Sequence, residues 1–231
     1  MSTDPQTLFY ALAGGIVPAL LWLWFWLKQD KKKPEPRGLI ILSFIAGMIA
    51  VIIVFPLEKF VVNFIPEGVA LLIAWASIEE IIKYSAISLV ALKSRHFDEP
   101  IDAVVYMITV ALGFAALENS MFLIEPIQNG EMIVGFLTGN LRFIGATLLH
   151  VLASASIGIA LGLSFYKGKF VKFISTIIGL TTAIALHTLF NFFIMKEHMD
   201  TFLVFLYLWI GIIIIIFLFE KVKRITNTTN K

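Results

Sequence analysis

The sequence predicts an all-α integral membrane protein: a polytopic bundle of about seven transmembrane helices, one domain over residues 1–231, with a polar site among helices three to six. Three observations carry that expectation. Hydrophobic residues make up 59% of the chain and charged residues 15%, whereas a soluble domain keeps roughly 25% charged residues to cover its surface. Mean hydropathy is +0.91, so lipid has to solvate much of the exterior. The apolar residues also gather in runs of about 20, the length that crosses the hydrocarbon as a helix.

Seven runs qualify: residues 7–27, 38–57, 68–92, 101–124, 141–166, 170–195 and 201–219. Prolines punctuate them. Pro34 and Pro36 fall in the first loop, Pro56 and Pro66 bracket the second, and Pro100 and Pro126 flank the fourth span. Residues 132–140 read as a short re-entrant segment or as an extension of the fifth helix. The early tryptophans Trp22, Trp24 and Trp26 read as an interfacial belt. No Lys or Arg precedes residue 28, so the basic region of a cleaved leader is missing and the first run is expected to stay as a helix.

Basic residues set the orientation. Lys28, Lys31, Lys32, Lys33, Arg37, Lys93, Arg95, Lys167, Lys169, Lys172 and the tail Lys221, Lys223, Arg224 and Lys231 all fall on one side. The other side holds only Lys59, Arg142 and Lys196. The positive-inside rule then puts the N-terminus outside and the C-terminus in the cytoplasm of a multi-pass cell-membrane protein. The partners expected are the lipid bilayer and a membrane protein. Nucleic acid is not expected, since no basic face is interleaved with aromatics. With no cysteine, disulfides, thiolate metal sites and a cysteine nucleophile are excluded.

Charged groups inside spans are costly and mark function or pair with one another. Span three carries Glu79, Glu80 and Lys83, span four Glu118 and Asn119, span five His150 and Ser154, and span six His187 and Asn191. Spans one, two and seven carry none in their interiors. Glu79 and Glu80 stand four and three residues before Lys83, so the lysine reaches either carboxylate. At 1.5 Å rise per residue, the carboxylates and imidazoles fall roughly 9–18 Å below the outer ends of their spans, one layer despite alternating helix directions.

The inventory suits hydrolysis of an acyl bond. Glu79 or Glu80 can act as a base for water, with Lys83 holding the pair ionised. His150, His187 and Asn191 can donate to an oxyanion. Alternatively Glu118, His150 and His187 are three ligands of a zinc ion with water in the fourth position. Taken singly, a buried Glu–Lys pair is as readily a lock between two helices as a functional pair, and a lone His or Asn more often hydrogen-bonds helices together. Ser154 and Asn119 read as packing or supporting groups.

Several of these residues stand in ordered motifs: Glu79-Glu80-x-x-Lys83, HFDEPIDAVVY over residues 96–106, Phe114-x-x-x-Glu118-Asn119, Arg142 eight residues before His150, and His187 with Asn191. The set resembles the PrsW family of intramembrane proteases. That family is grouped with CAAX-processing and bacteriocin-immunity-type membrane proteases and with the non-catalytic scaffold subunit of gamma-secretase. The resemblance covers residues 79–191, within a motif-bearing core of about residues 67–195. It implies an intramembrane endopeptidase that cleaves a membrane-spanning protein, such as an anti-sigma-factor-like regulator. The paired glutamates and the two histidines are then the functional groups. A cofactor is left open, none for a glutamic mechanism and zinc for a metalloprotease. The chain departs from the family pattern at Asn191, where Asp is frequent, and at ATLLH, where Pro is frequent before His150.

Two other classes share the polar inventory, a proton-coupled transporter and a non-catalytic scaffold. The lack of a visible repeat disfavours the first. The intact glutamate pair disfavours the second. Because the chain lacks cysteine, orientation is directly testable. A cysteine at Asn63 should react with an impermeant maleimide on intact cells, and one at Ser94 only after permeabilisation; the opposite pattern inverts the topology.

Overall fold

The computed structural model describes residues 4–29, 33–131, 144–195 and 201–226. Residues 132–140 and Arg142 lie outside the described residues. Among the described residues seven helices follow one another: α1 (Pro5–Leu27), α2 (Arg37–Val61), α3 (Val69–Val90), α4 (Asp102–Gln128), α5 (Ala146–Leu163), α6 (Lys169–Ile194) and α7 (Thr201–Lys223). The protein is a multi-pass helical membrane protein, and six of the seven helices are long and apolar enough to span by themselves. The exception is α3, whose Glu79, Glu80 and Lys83 fall within 22 residues.

Local chemistry explains the helix starts. Asp4 caps α1 by accepting from the backbone N–H groups of Gln6 and Thr7 at 2.9 and 3.1 Å, and Pro5 fills the first helical position. The start of α4 is held by a side chain of its own first turn. Here Asp102, in the first turn, turns back and accepts from the N–H groups of Asp98 and Glu99 at 2.9 and 2.7 Å. Its carboxylate ties down the preceding loop and faces the positive end of the helix. Tyr106 donates to Glu35, and Lys33 pairs with Asp98 at 2.5 Å, so the α1–α2 loop is fastened to the same end of α4.

Helix α4 is the axis of the bundle. Every residue from Pro100 to Ala116 is buried, and α1, α2, α3 and α5 pack around it. Apolar attraction adds little between helices that lipid already solvates, so close backbone approach has to hold them. Glycines provide it. A Cβ on Gly47 would strike the carbonyl of Val110, one on Gly113 that of Phe44, and one on Gly158 would lie 2.6 Å from the Cα of Val104. The outer faces are apolar and bare, with Phe9, Leu89, Phe170 and Phe217 each more than two-thirds exposed, as suits contact with acyl chains.

Three expectations are corrected. Helix α2 runs through Pro56 to Val61 instead of stopping at Leu57, which brings Glu58 and Lys59 into a helix expected to hold no charge. Helix α4 likewise runs through Pro126 to Gln128. The tryptophans do not form one belt. Trp24 is exposed under the Lys28 ammonium, while Trp26 is buried against Phe219 and Trp22 packs on Trp209.

Replacing Gly47 with Val should separate α2 from α4 at their crossing. Overpacking of this kind costs about 1–3 kcal/mol, expected as a lowered unfolding midpoint in detergent, with Gly38→Val, which meets open space, as the neutral control.

Candidate active site

The site is built outward from one lysine. Lys83 is fully buried on α3, and its ammonium donates to Glu80 Oε1 at 2.8 Å, to Glu79 Oε2 at 3.2 Å and to His150 Nδ1 at 3.0 Å. It also lies 4.1 Å from the centre of the Phe114 ring on α4. The spacing anticipated the contacts within α3. The contacts from α4 and α5 depend on how the helices rotate against one another.

The two glutamates have different surroundings. Glu80 is fully buried. Its Oε1 is shared between Lys83 and His187 Nδ1, the latter at 3.0 Å, and its Oε2 accepts from Ser154 at 2.9 Å. Glu79 has one oxygen on Lys83, while its Oε1 lies 3.7 Å from His187 Nε2. Glu79 also lines both cavities of the site, which Glu80 does not.

His150 connects α3 to α4. A lysine ammonium has only protons to offer, so His150 Nδ1 accepts and its Nε2–H donates to Glu118 Oε2 at 3.0 Å. The rings of His150 and His187 meet edge to face with centroids 5.2 Å apart. Asn119 donates to Thr147 at 2.9 Å and joins α4 to α5. Ser154 and Asn119 thus occupy supporting positions. Asn191 lines the larger cavity beside His187.

Glu79, Glu80, Lys83, Glu118, His150, His187 and Asn191 therefore come together from four helices. Among the described residues, one group of four side chains brings possible metal-ligand atoms within 4.8 Å of one another: Glu79, Glu80, His150 and His187. Glu118 stands behind His150 instead of inside that group. Glu58 was missed. It lines both cavities and is hydrogen-bonded to Glu79, and it lies beyond Pro56, in the part of α2 that the expected span of residues 38–57 leaves out.

The larger cavity has a volume of about 780 Å³ and is bounded by the end of α2, the start of α3, the ends of α4 and α6 and the starts of α5 and α7. A second cavity of about 270 Å³ lies between α2 and α4 and shares Glu58, Glu79 and Glu118 with it. Both lie toward the end of the bundle away from the basic loops.

Removing one partner of a buried ion pair costs about 3–5 kcal/mol because the other charge is left uncompensated. Lys83→Met should therefore unfold well below wild type in detergent. The double variant Lys83→Met/Glu80→Gln should recover part of that loss, whereas strict additivity would mean the pair is not coupled.

Comparisons with known proteins identify the family. The PrsW family intramembrane metalloprotease model matches residues 35–219. The chain is 31% identical over 177 residues to Protease PrsW of Bacillus subtilis, covering 70% of this chain and 69% of that protein. It is 28% identical over 169 residues to Protease PrsW of Geobacillus kaustophilus, covering 71% and 68%. With Protease PrsW of Clostridioides difficile it shares 26% over 235 residues, covering 94% and 91%. No solved structure matches at a significant level. A matched region spanning six of the seven helices, with the buried glutamate–histidine cluster inside it, means that the chain belongs to the PrsW family of intramembrane proteases.

Proposed function

We propose that the protein hydrolyses a peptide bond of a membrane-spanning substrate near the outer face of the membrane, with Glu79 as the general base. The observation that carries this reading is the difference between the paired glutamates. Glu80 has both oxygens engaged and faces no cavity, whereas Glu79 touches the same lysine and lines both cavities. Glu80 is then the fixed partner that holds Lys83, His187 and Ser154 in place.

Glu79 takes a proton from a water as its oxygen attacks the scissile carbonyl carbon. Asn191, which lines the larger cavity with Glu79, donates to the resulting oxyanion, while His187, its Nδ1–H held by Glu80, presents Nε2 as an acceptor that orients the water. Glu79 returns the proton to the amide nitrogen, the C–N bond breaks, and a carboxylic acid and an amine leave. Glu118 keeps His150 oriented, and His150 in turn helps to position Lys83. Burial strengthens each of these interactions by excluding bulk water.

The family's description as a metalloprotease calls for a metal. The side-chain types suit zinc, which takes three protein ligands in a catalytic site. The available lone pairs do not. His150 Nδ1 faces Lys83, its Nε2 faces Glu118, and His187 Nδ1 faces Glu80. That leaves His187 Nε2 and the outer oxygen of Glu79, with an ammonium inside the group opposing a second cation. The arrangement does not fit zinc on Glu118, His150 and His187, and it favours the metal-free mechanism.

Cleavage of a fluorogenic membrane peptide by detergent-purified protein, alongside its metal content, tests both parts. Glu79→Gln should lower kcat/KM by about 10²–10⁴-fold, the usual worth of a general base, and chelator should leave wild type active. Stoichiometric zinc with chelator-sensitive, metal-restored activity would sink the metal-free mechanism. Full activity of Glu79→Gln would sink the assignment of the base.

A further inference from the structure

The smaller cavity has a pattern that water activation does not require. On α2, Val51, Val54, Phe55 and Glu58 stand at i, i+3, i+4 and i+7 and form one face. On α4, Glu118, Met121, Phe122 and Glu125 repeat the spacing. The two faces make a groove with apolar walls; Glu79, Glu118 and the Glu58 carboxyl hydrogen-bonded to Glu79 lie at its inner end, and Glu125 lies at its outer end. All four charged residues lining it are carboxyl-bearing. Lys59 lines only the larger cavity, and its ammonium lies 4.6 Å from the ring centre of Phe55.

Resting on the Glu79 reading above, we infer that this groove is a subsite for a lysine or arginine side chain of the substrate, on the outer side of the scissile bond. Charge complementarity and continuity with the larger cavity identify the occupant. A long basic side chain lays its methylenes on apolar surface and keeps its cationic head among polar groups. Val54, Phe55, Met121 and Phe122 supply the apolar walls, and Glu125, with Glu58 further in, receives the head. A carboxylate-bearing substrate residue would find no cation among the residues that line the groove. Seven helical residues span about 10 Å, and an extended peptide advances about 3.3 Å per residue. The basic residue therefore lies within about three residues of the cleaved bond.

The test uses full-length protein in detergent and membrane peptides carrying Lys, norleucine or Glu at each of the three positions outward of the cleavage site. At one position, wild type should prefer Lys over norleucine by about tenfold in kcat/KM, equivalent to about 1.4 kcal/mol, and should disfavour Glu. The ratio should fall toward one in Glu58→Gln/Glu125→Gln and invert in favour of the Glu peptide in Glu125→Lys. A wild-type ratio of one at all three positions, or double-variant ratios equal to wild type, would overturn the subsite. The wild-type ratio needs no variant to fold, and anisotropy with the same peptides reads it as a ratio of Kd values if cleavage is slow. Failure of the base reading is distinguishable. Glu79→Gln would then stay active while the Lys preference persists, whereas loss of the preference with Glu79→Gln inactive removes the subsite alone.

Discussion

An ammonium group with no exposure to solvent is the constraint on which the rest of the site depends. A buried charge is tolerated only when its protons and its charge are both answered. Lys83 meets that requirement with two carboxylates, one imidazole nitrogen and the face of Phe114. Those partners come from α3, α4 and α5, and Glu80 extends the network to His187 on α6. One cation thereby fixes the mutual rotation of four helices. The desolvation that makes the lysine costly also makes its partners hard to misplace.

Around that centre the bundle divides its tasks by helix. Helix α4 is buried on every side through its first half and supplies the backbone surface against which glycines of α2 and α5 close. Toward its other end it becomes half-buried, and there Glu118 and Phe122 reach the cavities. Tight packing at one end and an opening at the other are thus properties of the same helix. The loop contacts of Glu35, Lys33 and Asp102 reinforce the tight end.

Much of this was legible in the residues. Helix number and approximate limits follow from hydrophobic length, and the meeting of Glu79, Glu80, Lys83, His150 and His187 follows from depth along antiparallel helices. Depth does not give rotation about the helix axis. For that reason the sequence left Glu79 and Glu80 equivalent, although one faces a cavity and the other is enclosed. It also placed Glu118 among the ligand candidates, although it lies behind His150. Glu58 was lost for a different reason. Pro56 was read as a stop, but lipid and neighbouring helices tolerate a proline that water-exposed helices do not. The positions of Trp22 and Trp26 fit an interfacial belt, yet their rings turn inward onto α7.

The polarity of α3 also bears on how the protein is made. A single charged residue at the centre of a nascent helix raises its insertion free energy by about 2.5–3.5 kcal/mol, and α3 carries three. Alone beside the translocon, such a segment favours the aqueous side. Apart from Glu58 on α2, which is hydrogen-bonded to Glu79, the groups that meet its charges from other helices lie on α4, α5 and α6, all synthesised later. Stable residence of α3 in the bilayer is therefore coupled to the arrival of its successors, and topogenesis and assembly of the active centre become a single event.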